Sequence, residues 1–215
     1  MIGSVRLVLR GAFAEAVADP LRSALAGTGC AVSVCAAVSV QTAEVDPAAS
    51  LGILVADHDD PVVARFPGTF QEAWRAAGVP SLVVVQHHPE TRIGPLDVPD
   101  TALCARCFAS RARQNGRDAG AAGALTPDAG RAVSVDGYPP YVVALVVALV
   151  MERLTVLDGA TDARNEVTVV DTANLLARTF PVVPVNGCPQ CDDQKPIGVL
   201  AGHRPVFGDL DRVPR

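Results

Sequence analysis

Four cysteines stand in two CxxC pairs, Cys104-Ala105-Arg106-Cys107 and Cys188-Pro189-Gln190-Cys191. Zinc in structural sites takes four ligands in a tetrahedron, and two such pairs supply four thiolates from two short turns. Gly187 and Pro189 suit a rigid turn that presents both sulfurs of the second pair to one side. With four sulfurs around the ion no position is left for water, so the expected role is structural rather than catalytic. The interval between Cys107 and Cys188 is far longer than in a zinc ribbon, so the metal would join elements distant in sequence. A thioredoxin-like redox pair and inert buried thiols are the alternatives. Cys30 and Cys35 lie in an apolar stretch and read as core.

Other chemistry-bearing residues are less specific. Asp57, His58, Asp59 and Asp60 follow an apolar run, the place where open α/β sheets bind ligands. A Mg²⁺ or substrate site is one reading; a solvated turn leading to Pro61 is the favoured one. His87-His88 follow a second apolar run and could join that cluster as metal ligands or acid/base groups, although no nucleophile or orienting partner is identifiable beside them. Arg106, Arg111 and Arg113 make a small basic group beside the first pair, read as a solvated face, with an acidic peptide docking there as the alternative.

A nucleotide site requires a Gly-rich turn after the first strand, so that backbone N–H groups and a helix N-terminus can meet the phosphates. That position holds Leu9-Arg10-Gly11-Ala12-Phe13-Ala14-Glu15-Ala16, with one glycine and a bulky Phe, and neither GxGxxG nor GxxxxGK[ST] occurs in the chain. Glu15 would stand in the first helical turn and already complement the dipole there. The expectation is an α/β domain that does not bind nucleotide.

The elements that must position these residues follow from periodicity. Strands are expected over 4–9, 31–40, 50–56 and 81–86, and helices over 13–25 and 70–77, so that strands and helices alternate in an α/β fold with a mostly parallel sheet. Residues 96–100 read as a short edge-like segment. A loop is expected over 111–130, where 111–127 are small and polar without periodicity. The strongest helix runs over 138–157, with Pro139 and Pro140 in its first turn and a body apolar nearly all round; it would be buried on most sides or form a homodimer interface. Paired strands are expected over 166–170 and 175–181. One domain spans 1–192, and 193–215 form a C-terminal tail.

The 215 residues include 49% hydrophobic and 19% charged side chains, with mean hydropathy +0.28, which is ample for a buried core. A formal charge of −5 and a single lysine, Lys195, argue against a broad phosphate-binding surface and against nucleic acid as a partner. The longest apolar run is short of the roughly 18 to 20 residues that span a bilayer, and the N-terminal stretch lacks the pattern of a secretory signal. A cytoplasmic setting with reduced thiols is expected.

The order of these features resembles the ThiF/MoeB-like adenylyltransferase family: an apolar strand ending in Asp57 to Pro61, a helix with Trp74, the strand at 81–86, Gly94-Pro95, then the two CxxC pairs. Within it, the segment Gly94-Pro95-Leu96-Asp97-Val98-Pro99-Asp100-Thr101-Ala102-Leu103-Cys104-Ala105-Arg106-Cys107 is most similar to that of the cyclodehydratase partner proteins of thiazole/oxazole-modified peptide biosynthesis, and the resemblance covers most of residues 4–192. The resemblance implies a degenerate Rossmann-like domain with a four-cysteine zinc site. It further implies a partner that supports a YcaO-type cyclodehydratase or its precursor peptide, often as a homodimer. Family members commonly open with a winged-helix domain that grips the leader peptide, whereas here the α/β pattern begins at Ser4. The competing expectation is an ATP-dependent adenylyltransferase acting on a peptide or carrier-protein C-terminus.

Overall fold

The apolar runs become the middle of one sheet. A computed structural model describes residues 2–36, 45–57, 66–87, 89–99, 101, 103–114, 138–155, 157 and 165–191. Among them the elements run in the order β1 (Ser4–Arg10), α1 (Ala12–Gly27), β2 (Ala31–Ala36), β3 (Leu51–Asp57), α2 (Phe66–Ala76), β4 (Ser81–His87), β5 (Glu90–Asp97), α3 (Ala105–Gln114), α4 (Pro140–Thr155), β6 (Glu166–Asp171) and β7 (Leu176–Pro181). The sheet order is β2-β1-β3-β4-β5-β6-β7. β1 pairs in parallel with β2 and β3, and β3 with β4; the β4–β5, β5–β6 and β6–β7 pairs are antiparallel. β6 therefore runs with β1 to β4, which makes the sheet mostly parallel. The chain leaves β1 on one side for β2 and returns on the other for β3. Such a switch point opens a crevice at the C-terminal ends of the two strands.

Both sheet faces are covered, which is why β3 and β4 read as continuous apolar runs rather than alternating ones. Leu51, Ile53 and Val55 of β3 pack with Leu82 and Val84 of β4 against Phe13, Val17 and Leu21 of α1 and Val146 and Val150 of α4. The opposite residues, Leu54, Ala56, Val83 and Val85, meet Phe70 and Trp74 of α2. Gly52 is the point of closest approach, since a Cβ there would lie 2.5 Å from the Trp74 indole. No helix among the described residues is long and apolar enough to cross a membrane.

The expectation that residues 138–157 are buried on most sides is only half met. Val142, Val143, Val146, Val150, Arg153 and Leu154 are buried, but Tyr141, Ala144, Ala148 and Glu152 form an outward row. Tyr141 is 53% exposed. Arg153 donates through Nη1 to Glu166 Oε2 at 2.9 Å and through Nη2 to Thr168 Oγ1 at 2.8 Å, tying α4 to β6.

Residues 96–100 were expected at an edge, and here the structure corrects the sequence. Leu96 and Asp97 end β5, which lies inside the sheet between β4 and β6. Pro95 is tolerated there because the β4–β5 ladder is already interrupted. The register passes from Leu82↔Leu96 to Val84↔Ile93, so two residues of β5 oppose one of β4. The loop expected over 111–130 is shortened as well: α3 continues through Gln114, and 115–130, like the tail 193–215, lies outside the described residues.

Candidate metal centre

The two CxxC pairs meet beside β6. Cys104, Cys107, Cys188 and Cys191 are all buried, and their sulfurs lie within 4.8 Å of one another, forming a group able to hold a metal ion. The Sγ–Sγ separations are 3.9 Å for Cys104–Cys107, 3.5 Å for Cys104–Cys188 and 3.5 Å for Cys107–Cys191. A tetrahedron with metal–sulfur bonds of about 2.3 Å has sulfurs about 3.8 Å apart, and a disulfide needs about 2.05 Å. The donors thus fit a tetrahedral thiolate site and not a pair of disulfides.

The first pair does not lie on a simple turn, as the sequence suggested; it opens a helix. Cys104 immediately precedes α3, and its carbonyl accepts the N–H groups of Cys107 at 3.1 Å and Phe108 at 3.3 Å. The second pair forms a turn after Gly187, whose φ of 71° suits glycine, with the Cys191 N–H donating to the Cys188 carbonyl at 3.3 Å. Leu103, Val167 and Val182 close around the sulfurs, so water is kept away from them. The Val185 N–H donates to Cys107 Sγ at 3.3 Å and so helps fix the direction of that sulfur.

Of the arginines expected on a solvated face, Arg106 is exposed, whereas Arg111 is half-buried and bonds backbone carbonyls. Arg111 donates through Nε to the Val183 carbonyl at 3.2 Å and through Nη2 to the Pro184 carbonyl at 3.0 Å, fastening the segment ahead of Cys188 to α3. Arg106 pairs with Glu72 of α2 at 2.6 Å and remains half exposed. The side chain of Arg113 lies outside the described residues.

Packed together, the thiols cannot all ionise. Burial pushes Cys104 up to about 12 and Cys191 up as well. Cys188 falls to about 7: burial acts upward on it, but the Gln190 N–H and donation from the neighbouring thiols prevail. A divalent cation reverses this logic by stabilising four thiolates at once.

Asp97 sits behind this centre. Burial pushes its carboxyl up to about 6, against the pull of Arg75 and of the Ala105 N–H. Its unfolded value is about 3.9, so between these values the folded chain holds a proton that the unfolded chain has released. Its contribution to stability is therefore full below about pH 4 and falls by about 3 kcal/mol as pH rises through the folded value. The Asp97 carboxyl carbon resonance is expected to titrate with a midpoint at about 6; a midpoint below about 4 would show that Arg75 outweighs burial.

At the switch point a carboxylate stands against the start of α1. Gly11 caps α1 with φ 92° and ψ 172°, and the Asp57 carboxylate lies against it: Oδ2 accepts the Phe13 N–H at 3.2 Å. A Cβ at position 11 would fall 2.3 Å from that oxygen. Glu15 is in the first turn, as expected. Asp57 is thus not part of a solvated turn. It stands at the helix N-terminus, where an anion binds in nucleotide-dependent folds, and a phosphate would have to displace it. His58, Asp59, Asp60 and His88 lie outside the described residues. His87 ends β4 beside Asp57, which pairs with Gln86, and among the described residues these do not make a metal-ligating group.

The fold and the centre together define an α/β domain with a mostly parallel sheet and a clustered set of four cysteines. The chain matches no family model and no curated protein. Among solved structures it is similar to the heterocyclase TruD, with TM-score 0.55 and 18% identity over 89% of this chain and 27% of that one. It is also similar to the E. coli microcin synthetase McbBCD complex, with TM-score 0.58 and 16% identity over 86% of this chain and 67% of that one. A third similar structure is E. coli MccB with MccA, with TM-score 0.55 and 11% identity over 88% of this chain and 66% of that one. The chain therefore spans about a quarter of TruD's length, and what it shares with these proteins is the fold.

Proposed function

We propose that this chain is a non-catalytic, zinc-stapled scaffold that supports a YcaO-type cyclodehydratase, or holds its precursor peptide, in the maturation of a ribosomally made peptide carrying azoles or azolines. The observation that carries the reading is the Asp57 carboxylate at the α1 N-terminus, in a fold like those of a heterocyclase and a microcin synthetase. A scaffold can retain that fold while an internal carboxylate fills the place of a phosphate. Zinc is the ion we assign to Cys104, Cys107, Cys188 and Cys191, because four thiolates in a closed tetrahedral set suit it and leave no open position. Residues 1–192 act as the domain, in a cytoplasmic setting where the thiols stay reduced. The outward row of α4, apolar at Tyr141, Ala144 and Ala148, is our choice for a homodimer seam.

The alternative, an ATP-dependent adenylyltransferase acting on a peptide or carrier-protein C-terminus, needs the α1 N-terminus free. Titrating ATP·Mg²⁺ into the purified chain separates the two. We expect no binding heat, together with retention of a YcaO-type cyclodehydratase or its precursor peptide on the immobilised chain. Clear ATP binding without such retention would overturn the scaffold.

A further inference from the structure

We propose that Arg75 and Asp97 are positioning residues of the metal centre, which hold Cys104 in its ligating conformation from both sides at once. The proposal rests on the metal reading above and adds what sets the affinity of that site.

Arg75 stands in the last turn of α2, and its guanidinium reaches the irregular segment that joins β5 to α3. Nη1 donates to the Val98 carbonyl at 3.0 Å, and Nη2 to the carbonyls of Thr101 at 2.8 Å and Leu103 at 2.9 Å. Thr101 Oγ1 adds a bond to the Val98 carbonyl at 2.7 Å. Asp97 Oδ1 lies 3.3 Å from Arg75 Nη1, and both side chains are almost fully buried, at 8% and 0% exposure. The other carboxylate oxygen accepts the Ala105 N–H at 3.3 Å, the first N–H of α3. One ion pair thus fixes the Leu103 carbonyl before Cys104 and the Ala105 N–H after it. The sulfur's direction is set by these two peptide units, since Cys has a single side-chain torsion to adjust.

The arrangement calls for these residue types. A planar fork can serve three carbonyls and a carboxylate together, whereas a lysine ammonium is a point charge on a flexible stem. Asp97 as a carboxylate also complements the positive end of α3, the helix that carries Cys107. Groups that orient metal ligands in this way, without touching the metal, typically alter affinity by about 10- to 100-fold when replaced.

The test is zinc affinity by chelator competition, with the visible spectrum of the cobalt(II)-loaded chain as a second readout. Arg75→Lys is compared with wild type and with Val146→Ala, which removes core volume from the other sheet face and reports general destabilisation. Arg75→Lys is expected to bind zinc about 10- to 100-fold more weakly and to weaken the cobalt–thiolate bands, while Val146→Ala leaves both unchanged. Asp97→Asn, which keeps shape and loses charge, is expected to weaken binding in the same direction and serves if Arg75→Lys does not fold. Wild-type affinity and spectrum in the folded variants, or equal losses in Val146→Ala, would overturn the positioning role. A wild-type chain that binds neither zinc nor cobalt would instead sink the metal reading itself.

Discussion

Alanine at Cys104 or at Cys188 is expected to abolish the cooperative melting transition of the chain at neutral pH. A structural zinc site contributes apparent binding energies of about 10 to 16 kcal/mol to folding, whereas a whole domain is stable by only about 5 to 15 kcal/mol. Removing one of four sulfurs leaves three buried thiols without a complete ligand set. The cluster they share with Leu103, Val167 and Val182 then has no polar centre to close upon. The loss is amplified by sequence distance, since the paired sulfurs Cys104–Cys188 and Cys107–Cys191 are each 84 residues apart and closing so long a loop opposes folding. Thermal denaturation followed by circular dichroism checks this, and a wild-type midpoint in both variants would contradict a structural role for the cysteines.

Gly11→Ala is the second change with a large expected effect, because two separate costs coincide there. The backbone at φ 92° and ψ 172° lies in a region nearly restricted to glycine, worth about 1 to 3 kcal/mol for any other residue. The added Cβ would also stand 2.3 Å from Asp57 Oδ2, so the carboxylate must leave the Phe13 N–H and the helix loses a cap worth about 1 kcal/mol. We expect a loss of about 2 to 4 kcal/mol in urea denaturation with an unchanged slope. Adding Asp57→Ala should relieve the collision but not the backbone strain, so the double variant falls short of the sum of the singles. Strict additivity would show that Asp57 does not occupy the space beside Gly11.

The fold was legible where burial is two-sided. Runs such as Ile53-Leu54-Val55 and Leu82-Val83-Val84 name β3 and β4 because both faces are covered by helices, and the two CxxC pairs name the metal centre by spacing alone. β5 was not legible, because Thr91, Arg92 and Asp97 break its apolar pattern and Gly94-Pro95 conceals a bulge inside the sheet. α3 was obscured as well, since its arginine-rich sequence continues into a polar stretch that reads as loop. The residues that give the sites their character were hidden for a further reason. Asp57 meets Phe13 across 44 positions, and Arg75 meets Leu103 across 28; each charged side chain reaches backbone groups far away in sequence, which leaves no motif. Their roles emerge only when the sheet brings strand ends and helix ends together.

The central claim is a zinc-stapled domain, and metal analysis by mass spectrometry of the untagged chain addresses it most directly. One zinc per chain, released together with loss of the folded state when a strong chelator is added, is the predicted result. A folded chain that carries no zinc, and takes none up when zinc is supplied, would contradict the account.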